Sequence, residues 1–323
     1  MNLNSIPTTY APKLKIMKCV FPFLLSLAAS ASAFSVCRQT PSPAFSASAL
    51  AMSSDDNIDT VVSRRGLFQT AVVAGAAISA SSLVTPPAAF AADMQKVVVA
   101  GATGQTGSRV FERLVKAGVP TIGGVRNVEK ASKAIKGDLK HLDVVEDSVD
   151  ALSATLEGAD GLIIACGMNP GKNLLRLSAA AHEVDNLGTI KLIDAAKKAG
   201  VKKVVMVSSI LTDGRAWGQE NSPGFVATNA FGGALDEKLA AEKYLRASGL
   251  DWTIIRPGGL KSKEPTGALS INAENTLNAG EISRDLVADV SIASLTDVKA
   301  SKKVLEIIED EGVPPKVFNG LNM

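Results

Sequence analysis

The stretch KVVVAGATGQTGSRVFERLVKAG, residues 96–118, decides the fold of this chain. Residues 96–100 are an almost continuous β-branched run, which predicts a strand buried on both faces of a parallel sheet. The segment after Gly107 carries Val110, Phe111 and Leu114 at helical spacing and stops at Gly118, as expected of a helix end. A strand, a glycine-rich turn and a helix in this order predict the start of a βαβ unit.

The glycines of this stretch have the spacing GxxGxxG. The first permits a tight turn, the second lets the backbone approach a pyrophosphate, and the third lets helix and strand pack closely. Free amides at the helix start, aided by the helix dipole, then face the phosphates. Because the string lies between a strand and a helix, it predicts a dinucleotide site, with a helix start that binds no ligand as the alternative. The loop residues of the predicted site are Gly101, Thr103, Gly104, Gln105, Thr106 and Gly107.

The end of the second predicted strand, residues 121–125, indicates which dinucleotide binds. An NAD site usually has an acid there to hold the ribose hydroxyls, but this strand is followed by Arg126. A carboxylate would repel a 2′-phosphate, whereas a guanidinium binds it bidentately. Arg126 therefore favours NADP(H), with a solvated surface arginine as the alternative. Arg109 either assists or points outward, and Asp143 either approaches the adenine amine or caps a strand end.

Strands and helices alternate along the rest of the chain. Apolar runs predict strands at 139–145, 161–166, 203–208, 252–256 and 304–309, and helical patterns cover 148–156, 185–199, 233–248 and 284–295. About seven short strands alternating with helices predict an α/β fold, a Rossmann-like doubly wound parallel sheet in a single domain over 92–323. The long connection 211–232, with three aromatic residues, predicts a lid over an apolar, planar substrate.

Six motifs, in this order, resemble the atypical short-chain dehydrogenase/reductase superfamily and its NmrA-like, NAD(P)-binding branch in plastids. They are GATGQTG (101–107), GVRN (124–127), LIIACG (162–167), VDNLGTIKLIDAAKKAG (184–200), VVMVSSI (204–210) and AAEKYLRASGLDWTIIRPGGL (240–260). The resemblance covers about 95–310. It implies that the catalytic Ser or Thr position falls at Ser208 and Ser209. It also implies further cofactor contacts from Val144, Ala165, Cys166, Gly167, Ser208, Lys238 and Pro257.

The chain departs from the family pattern at the residue that acts as the general acid. Members of the superfamily use Tyr-x-x-x-Lys, in which the tyrosine exchanges the substrate proton while the lysine lowers its pKa and holds the ribose. Lys238 matches the lysine, but the tyrosine position is Ala234. The one tyrosine beyond the leader is Tyr244, and the residue four positions later is Ser248. Nucleotide-sugar epimerases, dehydratases and ordinary alcohol dehydrogenases need that tyrosine and are therefore excluded.

The remaining chemistry needs only hydride delivery, with the second proton from water or from Ser209, Lys238 or His182. Lys238 and Ser209 are the candidate catalytic residues, and Lys238 also binds the ribose unless it is a solvated helix lysine. Reduction of a flavin, a quinone or a pigment-like conjugated system fits, because such an acceptor tolerates an anionic intermediate. The leading hypothesis is thus an NADPH-dependent reductase. The alternative is a non-catalytic NADP(H) sensor or scaffold with a thylakoid-associated protein partner.

Charge and composition exclude other classes. Residues 92–323 hold 28 Lys or Arg and 29 Asp or Glu, so they give no electrostatic case for binding nucleic acid. This part has one cysteine, Cys166, which excludes an internal disulfide. Its histidines are His141 and His182, too few for a Cys/His zinc site. We expect a soluble mature domain that holds no metal.

Residues 1–91 contain six Lys or Arg and three Asp but no Glu, a composition typical of targeting sequence. Lysines, a short apolar run and small residues predict a signal peptide at 1–33, and the Ser/Ala/Pro-rich segment 34–62 suits a transit peptide. Two adjacent arginines before a mildly apolar stretch resemble a twin-arginine thylakoid signal at 63–91. Together they predict delivery to the plastid (chloroplast), into the thylakoid lumen, with the stroma as the alternative.

Overall fold

The computed structural model describes residues 94–169, 174–230, 232–315, 318, 320 and 321. The targeting segments predicted at 1–33, 34–62 and 63–91 lie outside the described residues and stay predictions. None of the helices in the described ranges is long and apolar enough to cross a bilayer.

Ten strands and eight α-helices are assigned in the described part of the chain. The strands are β1 (Val97–Ala100), β2 (Thr121–Val125), β3 (Asp138–His141), β4 (Gly161–Ile164), β5 (Lys203–Val207), β6 (Asp251–Pro257), β7 (Gly259–Lys261), β8 (Ala268–Asn272), β9 (Glu281–Ser283) and β10 (Lys303–Asp310). The helices are α1 (Gln105–Lys116), α2 (Val128–Ser132), α3 (Val149–Leu156), α4 (Leu177–Ala181), α5 (Thr189–Ala199), α6 (Pro223–Asn229), α7 (Ala234–Ala247) and α8 (Arg284–Ala293). A π-helix, His182–Gly188, joins α4 to α5.

Eight of the strands form one sheet in the order β3-β2-β1-β4-β5-β6-β10-β8. Neighbouring strands are parallel, except that β8 runs antiparallel to β10 along one edge, and β7 and β9 form a separate parallel pair. The strand order reverses between β1 and β4, so the carboxyl ends of these strands open a crevice where open α/β sheets bind ligands. The predicted α/β, doubly wound parallel sheet is confirmed.

The core lies on both faces of the sheet. In β1, Val97 and Val99 face one side while Val98 and Ala100 face the other, and none of the four is exposed. Helices α1 and α8 cover the first face, and α3, α5 and α7 cover the second. Full burial of each valine side chain stabilises the fold by about 1.5–3 kcal/mol relative to leaving it exposed. Burial on both faces explains why β1 is apolar at every position.

The structure corrects the strand count and several boundaries. The main sheet has eight strands rather than about seven, because β8 is a half-buried edge strand without an apolar run. Strand β3 ends at His141 instead of 145, because the Asp143 carboxylate accepts hydrogen bonds from the amides of Val145 and Glu146 and turns the chain. The helical segment expected from 185 begins at Leu177, and α6 lies inside the connection 211–232.

Ion pairs tie α8 to α1. Arg113 contacts Asp285 through Nη2 at 2.6 Å and Asp289 through Nε at 2.9 Å, while Arg109 Nε lies 3.2 Å from Asp285. Burial raises the pKa of Asp289 to about 7, against the opposing effect of Arg113. Burial alone would also raise the pKa of Asp285, but Arg113 and Arg109 hold it below its usual value. Arg109 therefore points to α8, an arrangement that neither of its two predicted alternatives described.

Candidate functional site

The loop between β1 and α1 is packed so tightly that it leaves no room for side chains at two of its glycines. Gly101 has a φ of +84°, and a Cβ there would lie 2.9 Å from the amide nitrogen of Cys166. A Cβ on Gly107 would lie 2.2 Å from the carbonyl oxygen of Gly101. Gly104 precedes the first turn of α1, and its amide donates to that same carbonyl at 2.9 Å. Glycine at 101 therefore lets the loop approach the chain that follows β4, and glycine at 107 lets α1 pack on the loop.

A cavity of about 900 Å³ opens over this loop, at the carboxyl ends of β1, β2 and β4. Small-molecule sites in proteins have volumes of about 300–1,000 Å³. The amides of the first turn of α1 have no acceptor within the helix, so this end of the cavity suits an anion. The predicted cofactor-binding residues that line it are Gly101, Thr103, Gly104, Gln105, Thr106, Arg126, Asp143, Val144, Ala165, Cys166 and Gly167. The others, Gly107, Ser208, Lys238 and Pro257, lie outside the lining.

Arg126 follows β2 and is exposed in the cavity wall. Its guanidinium forms no hydrogen bond or ion pair with any residue that the structure describes, and only its backbone carbonyl is engaged, 3.0 Å from the His141 ring. Asp143 also lines the cavity, and its carboxylate at the same time caps the turn after β3. An exposed cation without an internal partner is well suited to meet an anionic group of a ligand.

Lys238 on α7 forms an ion pair with Asp185 of the π-helix. Its Nζ lies 2.9 Å from Asp185 Oδ1, and the two side chains are 18 % and 1 % exposed. The Met168 amide donates to both Asp185 oxygens at 3.3 Å. Burial alone would lower the pKa of Lys238, but the Asp185 carboxylate outweighs this and raises that pKa. A Cβ on Gly167 would lie 3.7 Å from Nζ, so the charged lysine stands next to the cavity wall.

The two other reactive residues named in the sequence analysis, Cys166 and His182, have surroundings typical of residues with a structural role. Burial raises the pKa of the Cys166 thiol to about 11, although Lys238 opposes this shift, so the thiol is protonated at neutral pH and a poor nucleophile. His182 Nδ1 lies 3.0 Å from Glu237 Oε2, to which Asn186 also donates at 2.7 Å. His182 thus ties the π-helix to α7.

Ser208, which follows β5, belongs to a buried polar cluster. Its hydroxyl donates to Glu242 Oε1 at 2.6 Å, and Arg256 holds Glu242 through two bonds of 3.1 and 2.7 Å. Arg256 also lies 3.4 Å from Glu306, and none of these three charged side chains is exposed. Charges buried this deeply persist because they pair with one another. The predicted residues at these strand ends, outside the cavity lining, are Ser208, Ser209 and Pro257.

The position of the family's tyrosine is the first residue of α7, Ala234, which lies one turn before Lys238. Tyr244, further along the same helix, donates its hydroxyl to Asp194 on α5 at 2.7 Å, and this hydrogen bond raises the pKa of Tyr244. Tyr244 is not part of the cavity lining. Within the described residues, therefore, no tyrosine reaches this site.

Sequence reasoning missed Asp185, and it did not foresee that the segment 259–267, which we call the strap, contacts the glycine-rich loop. An acid within a helical stretch carries no signal of the direction in which it points. The strap supplies Leu260 to the cavity lining, and Arg284 at the start of α8 lies beside it. Nothing in the order of the residues indicates that this segment returns to the glycine-rich loop. No group of three or more His, Cys, Asp or Glu in the described ranges is arranged to hold a metal ion.

Comparison with known proteins gives a family match over more than half of the chain: a family model described as NAD(P)H-binding matches residues 101–298. The chain is 42 % identical to an uncharacterised chloroplast protein of Arabidopsis thaliana, over 70 % of this chain and 81 % of the relative. It is 34 % identical to the uncharacterised sugar epimerase YhfK of Bacillus subtilis, over 67 % and 95 %. It is 28 % identical to sanguinarine reductase of Eschscholzia californica, over 67 % and 90 %.

Two solved structures are similar in fold and in sequence. The oxidoreductase ylbE from Lactococcus lactis matches with a TM-score of 0.56 and 28 % identity, over 68 % of this chain and 92 % of its own. ChuY, an anaerobilin reductase from Escherichia coli O157:H7, matches with a TM-score of 0.55 and 26 % identity, over 68 % and 100 %.

Proposed function

Because the chain belongs to the NAD(P)H-binding family, as an atypical, NmrA-like member of the short-chain dehydrogenases/reductases, we propose that it is an NADPH-dependent reductase of the plastid. The observation that carries the proposal is that the glycine-rich loop and the unpaired Arg126 line one cavity, with Lys238 beside its wall. The acceptor that we propose is planar or conjugated, such as a flavin, a quinone or a pigment-like molecule.

Arg126 is the reason for proposing NADP(H) rather than NAD(H). A guanidinium binds a phosphate bidentately, whereas the acid that normally holds the ribose in NAD sites is missing after β2. Asp143, fixed by the turn amides, offers a carboxylate for the adenine amine. The amides of the first turn of α1 and the glycine-rich loop would hold the diphosphate.

A bound nicotinamide supplies the hydride, and the residues of the chain supply position and a proton. Lys238, kept charged by Asp185, would hold the ribose hydroxyls and is our candidate proton donor, with Ser209 as the second candidate. An ammonium with a raised pKa is a weak acid, so the acceptor must tolerate a negative charge before it is protonated. This requirement favours a conjugated acceptor over a simple ketone.

The names of two relatives, sanguinarine reductase and anaerobilin reductase, support reduction as the reaction. The Bacillus subtilis relative is named a sugar epimerase. We do not propose epimerisation for this chain, because the tyrosine of the family's dyad is replaced by Ala234 and no described tyrosine takes its place.

The Arabidopsis relative and further plant relatives are chloroplast proteins, which supports a plastid location. Within the plastid we propose the thylakoid lumen, from the resemblance of residues 63–91 to a twin-arginine signal. That route carries folded proteins, so it suits a protein that loads its dinucleotide first. The stroma is the alternative, because a stromal enzyme has direct access to NADPH.

Fluorescence titration with NADPH, and with NADH in parallel, tests the cofactor. Arg126→Asp should weaken NADPH binding about 10- to 100-fold and NADH binding much less, since one charged hydrogen-bonding partner is lost and repulsion is added. Lys136→Asp, an exposed position outside the cavity lining, makes the same charge change and should alter neither affinity. Equal weakening of both nucleotides by Arg126→Asp would overturn the phosphate assignment.

A turnover assay distinguishes the proposed reductase from the alternative, a non-catalytic protein. With flavins and quinones as first acceptors, the protein should oxidise NADPH faster than the buffer does, and replacing Gly104 by a bulky residue should abolish that rate. A non-catalytic NADP(H) sensor or scaffold is the second candidate, favoured by Ala234 and by the engagement of the Ser208 hydroxyl with Glu242. A sensor would bind NADPH and NADP⁺ unequally and turn over none of the acceptors.

A further inference from the structure

The arginines that line the cavity differ in their internal partners. Arg176 lies 3.2 Å from the carboxylate of Glu183, which also lines the cavity. Arg126 and Arg284 have no carboxylate partner among the residues that the structure describes. The proposed function accounts for Arg126 but leaves Arg284 without a role.

Arg284 connects the strap with the glycine-rich loop. Its Nη1 donates to the Leu260 carbonyl at 3.0 Å and to the Ser262 hydroxyl oxygen at 2.9 Å. The Ser262 hydroxyl in turn donates to Gln105 Oε1 at 3.2 Å, and Gln105 is the first residue of α1. The guanidinium therefore stands at the rim of the cavity nearest the helix end that suits a phosphate.

Positive charge accumulates at this rim. Arg109 lies nearby, with Nη1 on the Gln105 carbonyl at 2.6 Å, and its carboxylate partner Asp285 is shared with Arg113. Burial and the charge of Arg109 together lower the pKa of Arg284. An anion bound between the rim and the first turn of α1 would offset this repulsion.

We propose that Arg284 binds the diphosphate of the dinucleotide from the side of the strap, as the side-chain counterpart of the backbone amides in the glycine-rich loop. This inference rests on the proposed function, because it requires a dinucleotide in the cavity. It assigns the two guanidiniums that have no carboxylate partner among the described residues to the two anionic groups of NADP(H), Arg126 to the 2′-phosphate and Arg284 to the diphosphate.

The strap is held in place before any ligand binds. The Glu309 carboxylate of β10 is 4 % exposed and accepts from the Thr266 amide at 2.8 Å, from Lys261 Nζ at 3.1 Å and from the Ser283 amide. One carboxylate thus fixes both the strap and the residue directly before α8. A contact group that is already ordered loses little conformational entropy on binding, so it can contribute more to affinity.

Calorimetric titration of the full-length protein with three ligands tests the assignment: NADPH, NADH and adenosine 2′-monophosphate, which has no diphosphate. Arg284→Ala should weaken NADPH and NADH alike, about 10- to 100-fold, and leave adenosine 2′-monophosphate within about twofold. Arg126→Ala should show the opposite pattern, weakening NADPH and adenosine 2′-monophosphate but not NADH. Arg215→Ala, an exposed arginine paired with Asp236, is the control and should change none of the three.

Ser262→Ala releases the guanidinium without removing its charge, so it should give a smaller loss with the same pattern as Arg284→Ala. Arg284→Gln provides the same comparison if the alanine variant does not fold. Unchanged NADPH and NADH affinities in these variants, or an equal loss for adenosine 2′-monophosphate, would overturn the inference. If the wild type prefers NADH, the assignment of Arg126 fails while the diphosphate comparison still decides on Arg284. Binding of none of the ligands overturns both.

Discussion

Replacing Asp289 by asparagine should make the stability of the protein less dependent on pH between 5 and 8. Asp289 is 6 % exposed, and burial raises its pKa from 3.8 to about 7. The unfolded chain releases this proton above about pH 4, whereas the folded protein keeps it up to about pH 7. Folding therefore takes up a proton in this window, so the free energy of unfolding falls as the pH rises and the loss is complete above the folded pKa.

The magnitude follows from the size of the shift. Each pKa unit corresponds to about 1.4 kcal/mol, so about three units give about 4 kcal/mol over the whole window. About 2–3 kcal/mol of this falls between pH 5 and pH 8. Asparagine has nearly the shape of the protonated carboxyl and does not titrate. Relative to wild type, Asp289→Asn should therefore gain about 2–3 kcal/mol on going from pH 5 to pH 8.

Urea unfolding at pH 5, 6, 7 and 8 measures the effect. Asp150→Asn is the matched control, because the Asp150 carboxylate is 80 % exposed, and this variant should keep the pH dependence of the wild type. A difference between wild type and Asp289→Asn that stays constant with pH would refute the reasoning, since the carboxyl would then ionise at its ordinary pH despite its burial.

Three further changes test the structure. Gly107→Ala places a Cβ 2.2 Å from the Gly101 carbonyl and should cost about 1–3 kcal/mol in urea unfolding; an unchanged midpoint would contradict this. Lys238→Met leaves the Asp185 carboxylate buried and unpaired, so adding Asp185→Asn should recover at least about 1 kcal/mol; a less stable double variant would refute the pairing. Backbone amides hold the pKa of Glu309 at about 2 despite burial, so its stabilisation is present above about pH 4.5 and lost towards pH 2. Glu309→Gln should therefore be about 1–3 kcal/mol less stable at pH 7 and approach wild type as the pH falls; a deficit independent of pH would argue against it.

The central part of the fold could be predicted because its signals are local. A strand buried on both faces is a nearly continuous apolar run, so β1, β4 and β5 are visible in the sequence without any knowledge of their neighbours. Strand β8 could not be found in this way, since a half-buried edge strand gives neither a continuous run nor a clean alternation. The short β7 and β9 exist only because each provides a partner for the other.

The residues of the candidate site also divide into those that have a local signal in the sequence and those that have none. The glycine-rich loop is contiguous in sequence and its spacing has a steric reason, so its shape could be predicted residue by residue. Arg126 and Asp143 follow strands, and the sheet brings the ends of these strands to one edge. The contact between Ser262 and Gln105 joins residues 157 positions apart, and no local pattern reports such a return of the chain. The roles of Lys238 and Ser209 in catalysis stay predictions.

Because of the π-helix at His182–Gly188, the Lys238–Asp185 ion pair depends on the number of residues in this segment. A π-turn holds more residues than an α-turn, and each residue of an α-helix rotates the chain by about 100°. Deleting one residue between 186 and 188 would let α4 and α5 run together as one regular helix. Asp185 would then turn away from Lys238 and from the Met168 amide, although every side chain of the pair was still present. Insertions and deletions in this segment are therefore as damaging to the site as substitutions within it.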